Sequence, residues 1–466
     1  MNTLTLGVDV GGTFTDLLLV DLDTGEYRIA KVPSTPENQA LGFLNGVSAL
    51  DQTLDSIETI VHGTTIGTNA ILERKGVTCG LITTQGFRDT LELGRRTRPN
   101  AWGLTGHFEP LIPRELRIEV PERVTANGDV MVAMDEDAVR KATEQLLANG
   151  AEALVIHFMH SYVNPVHENR ARAIASTLWP NPHISLGNEI MREIREFERG
   201  SAAALNGSIQ PIMSRYLNRL SADLKKQGFG HELLIMQGNG GMMGVEMAST
   251  FPVQTVMSGP SAGAIAAADI ARQAGFPTVI GCDMGGTSFD LSVIKDGVPA
   301  ITTEKNMDYG VPLHVPLVDI HTIGSGGGSI ARVNAGGLLE VGPQSAGATP
   351  GPIAYGRGGE QPTVTDANVL LGRINPDSIT GSSSAADVEK VRQRIHEEIG
   401  LPLGLDTDNA AAAILAVVNN QMANATRMVS VEKGHDPREF ALFAFGGAGP
   451  LHANDIAREL GVPRVI

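Results

Sequence analysis

The phrase DVGGTFTD, Asp9–Asp16, returns as DMGGTSFD, Asp283–Asp290. Each copy follows an apolar run: LTLGVDV at residues 4 to 10 and TVIGCDM at 278 to 284 have the β-branched look of buried strands. A chain that repeats strand, carboxylate, double glycine and strand is constrained to two related halves. Gly11, Gly12, Gly285 and Gly286 have no Cβ, so their backbone can turn sharply and bring N–H groups against phosphate oxygens. Thr13, Thr15, Thr287 and Ser288 add hydroxyls. Asp9 and Asp283 close the strands, where a carboxylate can hold Mg²⁺ through its waters or orient a nucleophile. Asp16 and Asp290 complete each phrase and join them as catalytic candidates. The plain alternative is a pair of Gly-Gly hairpins.

The doubled loop resembles the ATPase fold shared by actin, sugar kinases and heat-shock chaperones, in which two ribonuclease-H-like halves each offer a phosphate loop to one nucleotide. The resemblance implies an α/β chain with inserted loops and helices. It also calls for an adenosine element, and ALFAFGGAGPLHANDIAREL supplies a candidate: a strand from Ala441 to Phe445, then Gly446, Gly447 and Gly449, then a helix. Glycines there let a base or ribose lie against the backbone, and the helix N-terminus favours an anion. A simple strand-to-helix turn is the alternative.

At 466 residues the chain exceeds a single core, so two or three domains are expected. The 36 basic and 52 acidic residues give a net charge of −16, which disfavours nucleic acid and anionic membrane surfaces as partners. The two cysteines, Cys79 and Cys282, sit in apolar strand-like surroundings and read as buried thiols. MNTLTLGVDVGG enters a strand at once, with no basic start and long apolar stretch, and nowhere do 18 apolar residues run together. A cytoplasmic protein is expected.

Strand signals at 4 to 10, 15 to 21 and 27 to 32 form a meander, after which helices and strands alternate. Residues 94 to 130 break the alternation and read as an insertion. The boundary between halves is placed after residue 188, giving regions 1–188 and 189–466. A Gly-rich stretch, 324 to 360, reads as a mobile lid or a set of substrate loops.

Six phrases carry a more specific resemblance: HGTTIGTNAILERKG at 62 to 76, EIREFERGSAAALNGSI at 193 to 209, MQGNGGMM at 236 to 243, MSGPSAGA at 257 to 264, DIHTIGSGGGSIA at 319 to 331 and FGGAGPLHA at 445 to 453. Together they resemble the hydantoinase A/5-oxoprolinase family, which includes ATP-dependent N-methylhydantoinases, oxoprolinases and the nucleotide-binding subunits of acetone and acetophenone carboxylases. That resemblance implies ATP and Mg²⁺ as cofactors and a cyclic amide or imide as substrate, with the nucleotide-binding subunit of an acetone/acetophenone-type carboxylase as the alternative and an actin- or chaperone-like nucleotide switch as a third reading. The cyclic substrate's carbonyl oxygen would be phosphorylated and the ring then opened by water. A hydantoinase B-type polypeptide is the implied partner, within a homo- or hetero-oligomer. Family chains continue beyond GVPRVI, so a C-terminal part is expected to follow.

His62, Thr64, Thr65 and Asn69 gather hydroxyl and amide groups before a helix, which suits either the carbonyl oxygens of a small ring or a capped βα turn. Gly324, Ser325 and Gly326 are read with them as substrate-binding. Asp319 and His321 share one strand face and could ligate a metal or position substrate, although no third ligand is near in sequence. His157 and His160 read as packing or loop residues. No Ser-His-Asp or nucleophilic Cys constellation emerges, which accords with activation by phosphate transfer.

Overall fold

A computed structural model describes all residues except 1–3, 12–13, 36–38, 98–99, 101, 104, 107, 308–309 and 380–386. The chain forms two compact units: Met1–Ser261 with Ile301–Leu317, and Ala262–Ala300 with Val318–Ile466.

In the first unit the apolar run Leu4–Val10 is the hub of a six-stranded sheet ordered Met242–Gly244, Leu233–Met236, Ile57–Thr64, Leu4–Val10, Phe14–Asp21 and Tyr27–Pro33. The three N-terminal strands form the expected antiparallel meander, and Ile57–Thr64 then joins Leu4–Val10 in parallel. Alternation puts Leu6, Val8, Leu17 and Leu19 into the core beneath Phe43 and Val47. A second, parallel sheet holds Ile184–Leu186, Ala153–His157, Cys79–Thr84 and Arg117–Val120. Residues 94–130, read as an insertion, therefore contribute one of its strands.

In the second unit Val279–Met284 is flanked by antiparallel Phe289–Lys295 and parallel Ala441–Phe445. Leu442 bridges Val465 in parallel, extending the same order by one position. Helices Thr407–Ser430 and Gly449–Leu460 cover this sheet, packing Ile414, Val418 and Met422 with Ile280, Phe289 and Leu442. Both units thus have the α/β, ribonuclease-H-like arrangement: an antiparallel meander continued by parallel strands.

The compact units part after Ser261 rather than at residue 188. The cause is the helix Glu196–Lys226: its Ala203 and Ala204 pack in the core of the parallel sheet while Leu217, Leu220 and Leu224 pack in that of the six-stranded one. The Gly-rich stretch has secondary structure of its own. It contains an antiparallel pair, Ser329–Val333 with Leu339–Ser345, anchored by buried Ala331 and Val341. Cys79 and Cys282 are buried free thiols, and burial pushes both up to about 12. Among the described residues no single helix is long and apolar enough to cross a membrane.

Candidate functional site

Both repeated phrases fold in one register. Asp9 stands opposite Asp16, and Asp283 opposite Asp290, so in each hairpin the two carboxylates share a face.

In the first hairpin the row continues onto a third strand, where Asp16 faces Lys31. Lys31 Nζ donates to the two Asp16 oxygens at 2.7 and 2.9 Å. The Asp9 carboxyl is raised above its ordinary range because surrounding protein strips part of its hydration and Asp16 adds like charge, against the pull of Lys31. Asp9 nonetheless reaches solvent, so it is recessed and not sealed. Gly63 lies beside it on the parallel strand, and a Cβ there would stand 3.1 Å from Asp9 Oδ1.

Gly12 and Thr13 lie outside the described residues. Thr15 does not face a ligand as expected: its side chain is buried, and its hydroxyl lies 3.0 Å from Ser34 Oγ. Ser34 in turn donates to the Gly11 carbonyl at 2.8 Å. Thr15 therefore braces the loop from below through Ser34.

The second loop is held by backbone. Gly327 and Gly328 N–H donate to the carbonyls of Gly285 and Gly286 at 3.0 and 2.7 Å, and Ala448 N–H donates to Met284 O at 2.9 Å. Ser288 and Thr322 hydroxyls donate to Asp290 at 3.2 and 2.5 Å. A Cβ on Gly326 would meet Thr287 N at 2.5 Å, whereas Gly285, Gly286 and Gly447 face open space. Gly446 has φ +81°, and a Cβ on it would stand 2.2 Å from Asp283 Oδ1. Gly449 starts the helix Gly449–Leu460, whose first turn has no side-chain cap, leaving donors for a ligand. On that helix buried His452 bonds Asn419 at 2.7 Å and Asn368 at 3.2 Å, fixing its seat.

The substrate candidates divide. His62 is buried, with Nδ1 3.3 Å from Val8 O and Nε2 2.8 Å from the Tyr216 hydroxyl. Nδ1 can only donate to a carbonyl, so Nε2 accepts from Tyr216; burial lowers this imidazole to about 4 and keeps it neutral. His62 is a satisfied core residue. Thr64 is buried too, its carbonyl receiving the Ser258 hydroxyl at 3.2 Å. Thr65 and Asn69 stay half-exposed at the start of the helix Ile66–Leu72, with Asn69 Nδ2 donating to Thr65 Oγ1 at 3.3 Å. The Thr65 side chain makes no capping bond; it donates to Val10 O at 3.3 Å, beside Asp9.

Ser325 and Gly326 are buried, Ser325 donating to Gln421 at 3.1 Å, so they support the second loop and do not present a substrate surface. Gly324 remains exposed. Asp319 is ion-paired with Lys433, and among the described residues no three His, Cys, Asp or Glu gather around a metal position. The Asp319–His321 metal reading finds no support there. Lys31, Ser34 and Thr322 were not singled out in the sequence; cross-strand register in the meander was the signal for Lys31.

The hydantoinase/oxoprolinase family model matches residues 199–466, and the model of its N-terminal region matches residues 5–178. The chain belongs to the hydantoinase/oxoprolinase family. Among relatives of this hydantoinase/oxoprolinase chain, the caprolactamase subunit alpha of Pseudomonas jessenii is 36% identical over 98% of the chain and 67% of its own length. The acetophenone carboxylase gamma subunit of Aromatoleum aromaticum is 37% identical over 96% of the chain and 64% of its own. The solved caprolactamase superposes with a TM-score of 0.88 at 36% identity, covering 99% of this chain and 68% of that one. Nucleotide-free acetone carboxylase gives 0.84 at 30%, covering 100% and 68%.

Proposed function

We propose that this chain is the nucleotide-using subunit of an ATP-dependent enzyme that opens a cyclic amide or imide of the hydantoin, N-methylhydantoin or 5-oxoproline type. The observation that carries the reading is the shared register of Asp9 with Asp16 and of Asp283 with Asp290, each beside a glycine turn. Similarity to a caprolactamase subunit along 98% of the chain supports it.

In the proposed reaction the amide oxygen bonds to the γ-phosphorus of ATP while the bridging oxygen leaves with ADP. Water then adds to the activated carbon and the ring C–N bond breaks, a proton passing to the nitrogen and an acyl phosphate remaining; a second water cleaves that, giving the free carboxylate and phosphate. The glycine-turn N–H groups and the Thr287 hydroxyl bind phosphate, and Thr65 with Asn69 orients the substrate carbonyl. Asp9 and Asp283 each suit Mg²⁺, which can be held by a single carboxylate with water and phosphate oxygens as its other ligands. When bound, it neutralises phosphate charge.

A second reading, the nucleotide-binding subunit of a ketone carboxylase, is favoured by the 37% identity to the acetophenone carboxylase subunit. Either role calls for a partner polypeptide of the hydantoinase B type. ADP release by the full-length protein with its partner, screened over hydantoins, 5-oxoproline, lactams and ketones, tests both. Turnover with a ring amide and no bicarbonate supports the hydrolase, strict bicarbonate dependence supports the carboxylase, and no substrate-stimulated ADP release overturns both.

A further inference from the structure

The first unit contains a cavity of about 410 Å³ that none of the preceding chemistry uses. Its volume lies in the range of small-molecule pockets. Leu91, Phe108, Phe197, Met307 and Val311 supply apolar walls. The loop carrying Gly310 seats directly on Phe108: Gly310 has φ +70°, and a Cβ there would stand 2.3 Å from the Phe108 ring.

The polar groups converge on one feature. Arg95 lines the cavity and is fixed by two carboxylates, Nε to Glu198 at 2.7 Å and Nη1 to Glu304 at 2.6 Å. Its third nitrogen, Nη2, makes no hydrogen bond among the described residues, so the planar fork keeps one edge for a ligand. Ser201 lies one helical turn beyond Glu198, lines the same cavity and is only 2% exposed, and its hydroxyl too has no partner among the described residues. A hydroxyl that opens on the cavity can donate to a bound acceptor.

Charge narrows the ligand class. Glu92 is matched by Arg117 at 3.1 Å and Glu109 by Arg74 at 3.4 Å, while Glu198 and Glu304 stand against Arg95, with Arg195 a further 4.0 Å from Glu198. The two glutamates and two guanidiniums balance, so no surplus cation is left to hold an anionic guest.

We propose that this cavity binds a small uncharged carbonyl compound with an apolar body, its oxygen accepting hydrogen bonds from Arg95 Nη2 and the Ser201 hydroxyl. The site goes beyond the proposed function, on which it rests only for the choice of probes. ε-Caprolactam, acetophenone and the 5-oxoproline anion are the probes, with binding to the full-length protein measured by ligand-observed NMR and calorimetry without nucleotide.

Caprolactam and acetophenone are expected to bind and 5-oxoproline to fail. Arg95→Lys keeps a cation between the two glutamates but loses the free edge, and should weaken caprolactam at least tenfold. Ser201→Leu should do the same by filling the space. Asp283→Ala should abolish ADP release yet leave caprolactam affinity unchanged. Unaltered affinity in Arg95→Lys, or equal affinity for 5-oxoproline, overturns the proposal. If caprolactam stimulates ADP release but its binding ignores both cavity variants, the cavity is wrong and the function stands. If it binds through Arg95 and no amide or ketone stimulates ADP release, the function is wrong and the cavity stands.

Discussion

The hairpins Leu4–Asp21 and Val279–Lys295 present the same carboxylate pair in the same register, yet the protein supports them by different means. Beside Asp16 stands a charge, Lys31, at 2.7 Å; beside Asp290 stands a hydroxyl, Thr322, at 2.5 Å. The second loop is further pinned by N–H groups of Gly327, Gly328 and Ala448. A repeated phrase therefore fixes where its two carboxylates go. What surrounds them is set by strands and turns far away in sequence, and there the two copies have diverged.

The largest expected effect tests what the copies share. Asp9→Ala and Asp283→Ala should each lower ATP turnover on the order of a thousandfold, since an electrostatic positioning group commonly supplies several kcal/mol in the transition state. Circular dichroism and melting should remain close to wild type. Near-normal ADP release from either variant would remove that hairpin from the site.

Next come Thr65 and Asn69, which stand beside the first loop. Thr65→Val and Asn69→Ala should cost roughly 1–3 kcal/mol, or about 5- to 150-fold in kcat/KM for the substrate, with ADP affinity preserved. Equal damage to ADP binding would place this turn with the nucleotide.

The glycines of the second loop separate backbone from ligand. Gly446→Ala meets positive φ and the Asp283 carboxylate, so it should lose about 1–2 kcal/mol of stability from strain alone. Gly447→Val has open space and no positive φ. It should fold normally and weaken ADP on the order of tenfold by occupying the ligand's volume, as titration calorimetry can show. Unchanged ADP affinity in a folded Gly447→Val protein would move the nucleotide away from this turn.

His62 shows where the sequence stops being legible. The meander, the doubled loop and the FGGAG turn follow from local pattern, because period-two alternation and paired glycines report directly on strands and tight turns. Which face of Ile57–Thr64 is buried does not, because it depends on Tyr216, a partner 154 positions away. Thr15 and Ser325 were misplaced for the same reason: a hydroxyl beside glycine reads alike whether it meets a ligand or a buried neighbour.

The structure makes His62 a stability residue, so His62→Leu should cost about 1–3 kcal/mol by orphaning the Tyr216 hydroxyl and removing a side-chain donor from the Val8 carbonyl, with per-molecule ADP release unchanged. Its imidazole titrates near the usual 6.5 when unfolded and at about 4 when folded. A lowered histidine contributes stability that is whole above pH 6.5 and is lost as pH falls toward 4. Denaturant midpoints over that window should fall less steeply with acid in His62→Leu; an identical slope would show that His62 is not kept neutral.

The smallest effect addresses the divergence itself. Lys31 and Asp16 are about half exposed, so their pair contributes at most about 1 kcal/mol to stability, and Lys31→Met should melt close to wild type. Its charge matters more to a polyanion: without it Asp9 and Asp16 form an uncompensated row facing the phosphates. The KM for ATP should rise a few-fold, more at low ionic strength, where screening is weakest. Thr322→Val removes a neutral donor from Asp290 and changes no charge, so any rise in KM there should be independent of salt. Steady-state titrations at two ionic strengths decide it: if both variants respond to salt alike, Lys31 is not the counter-charge of the first loop, and the two copies differ in sequence but not in how they meet the nucleotide.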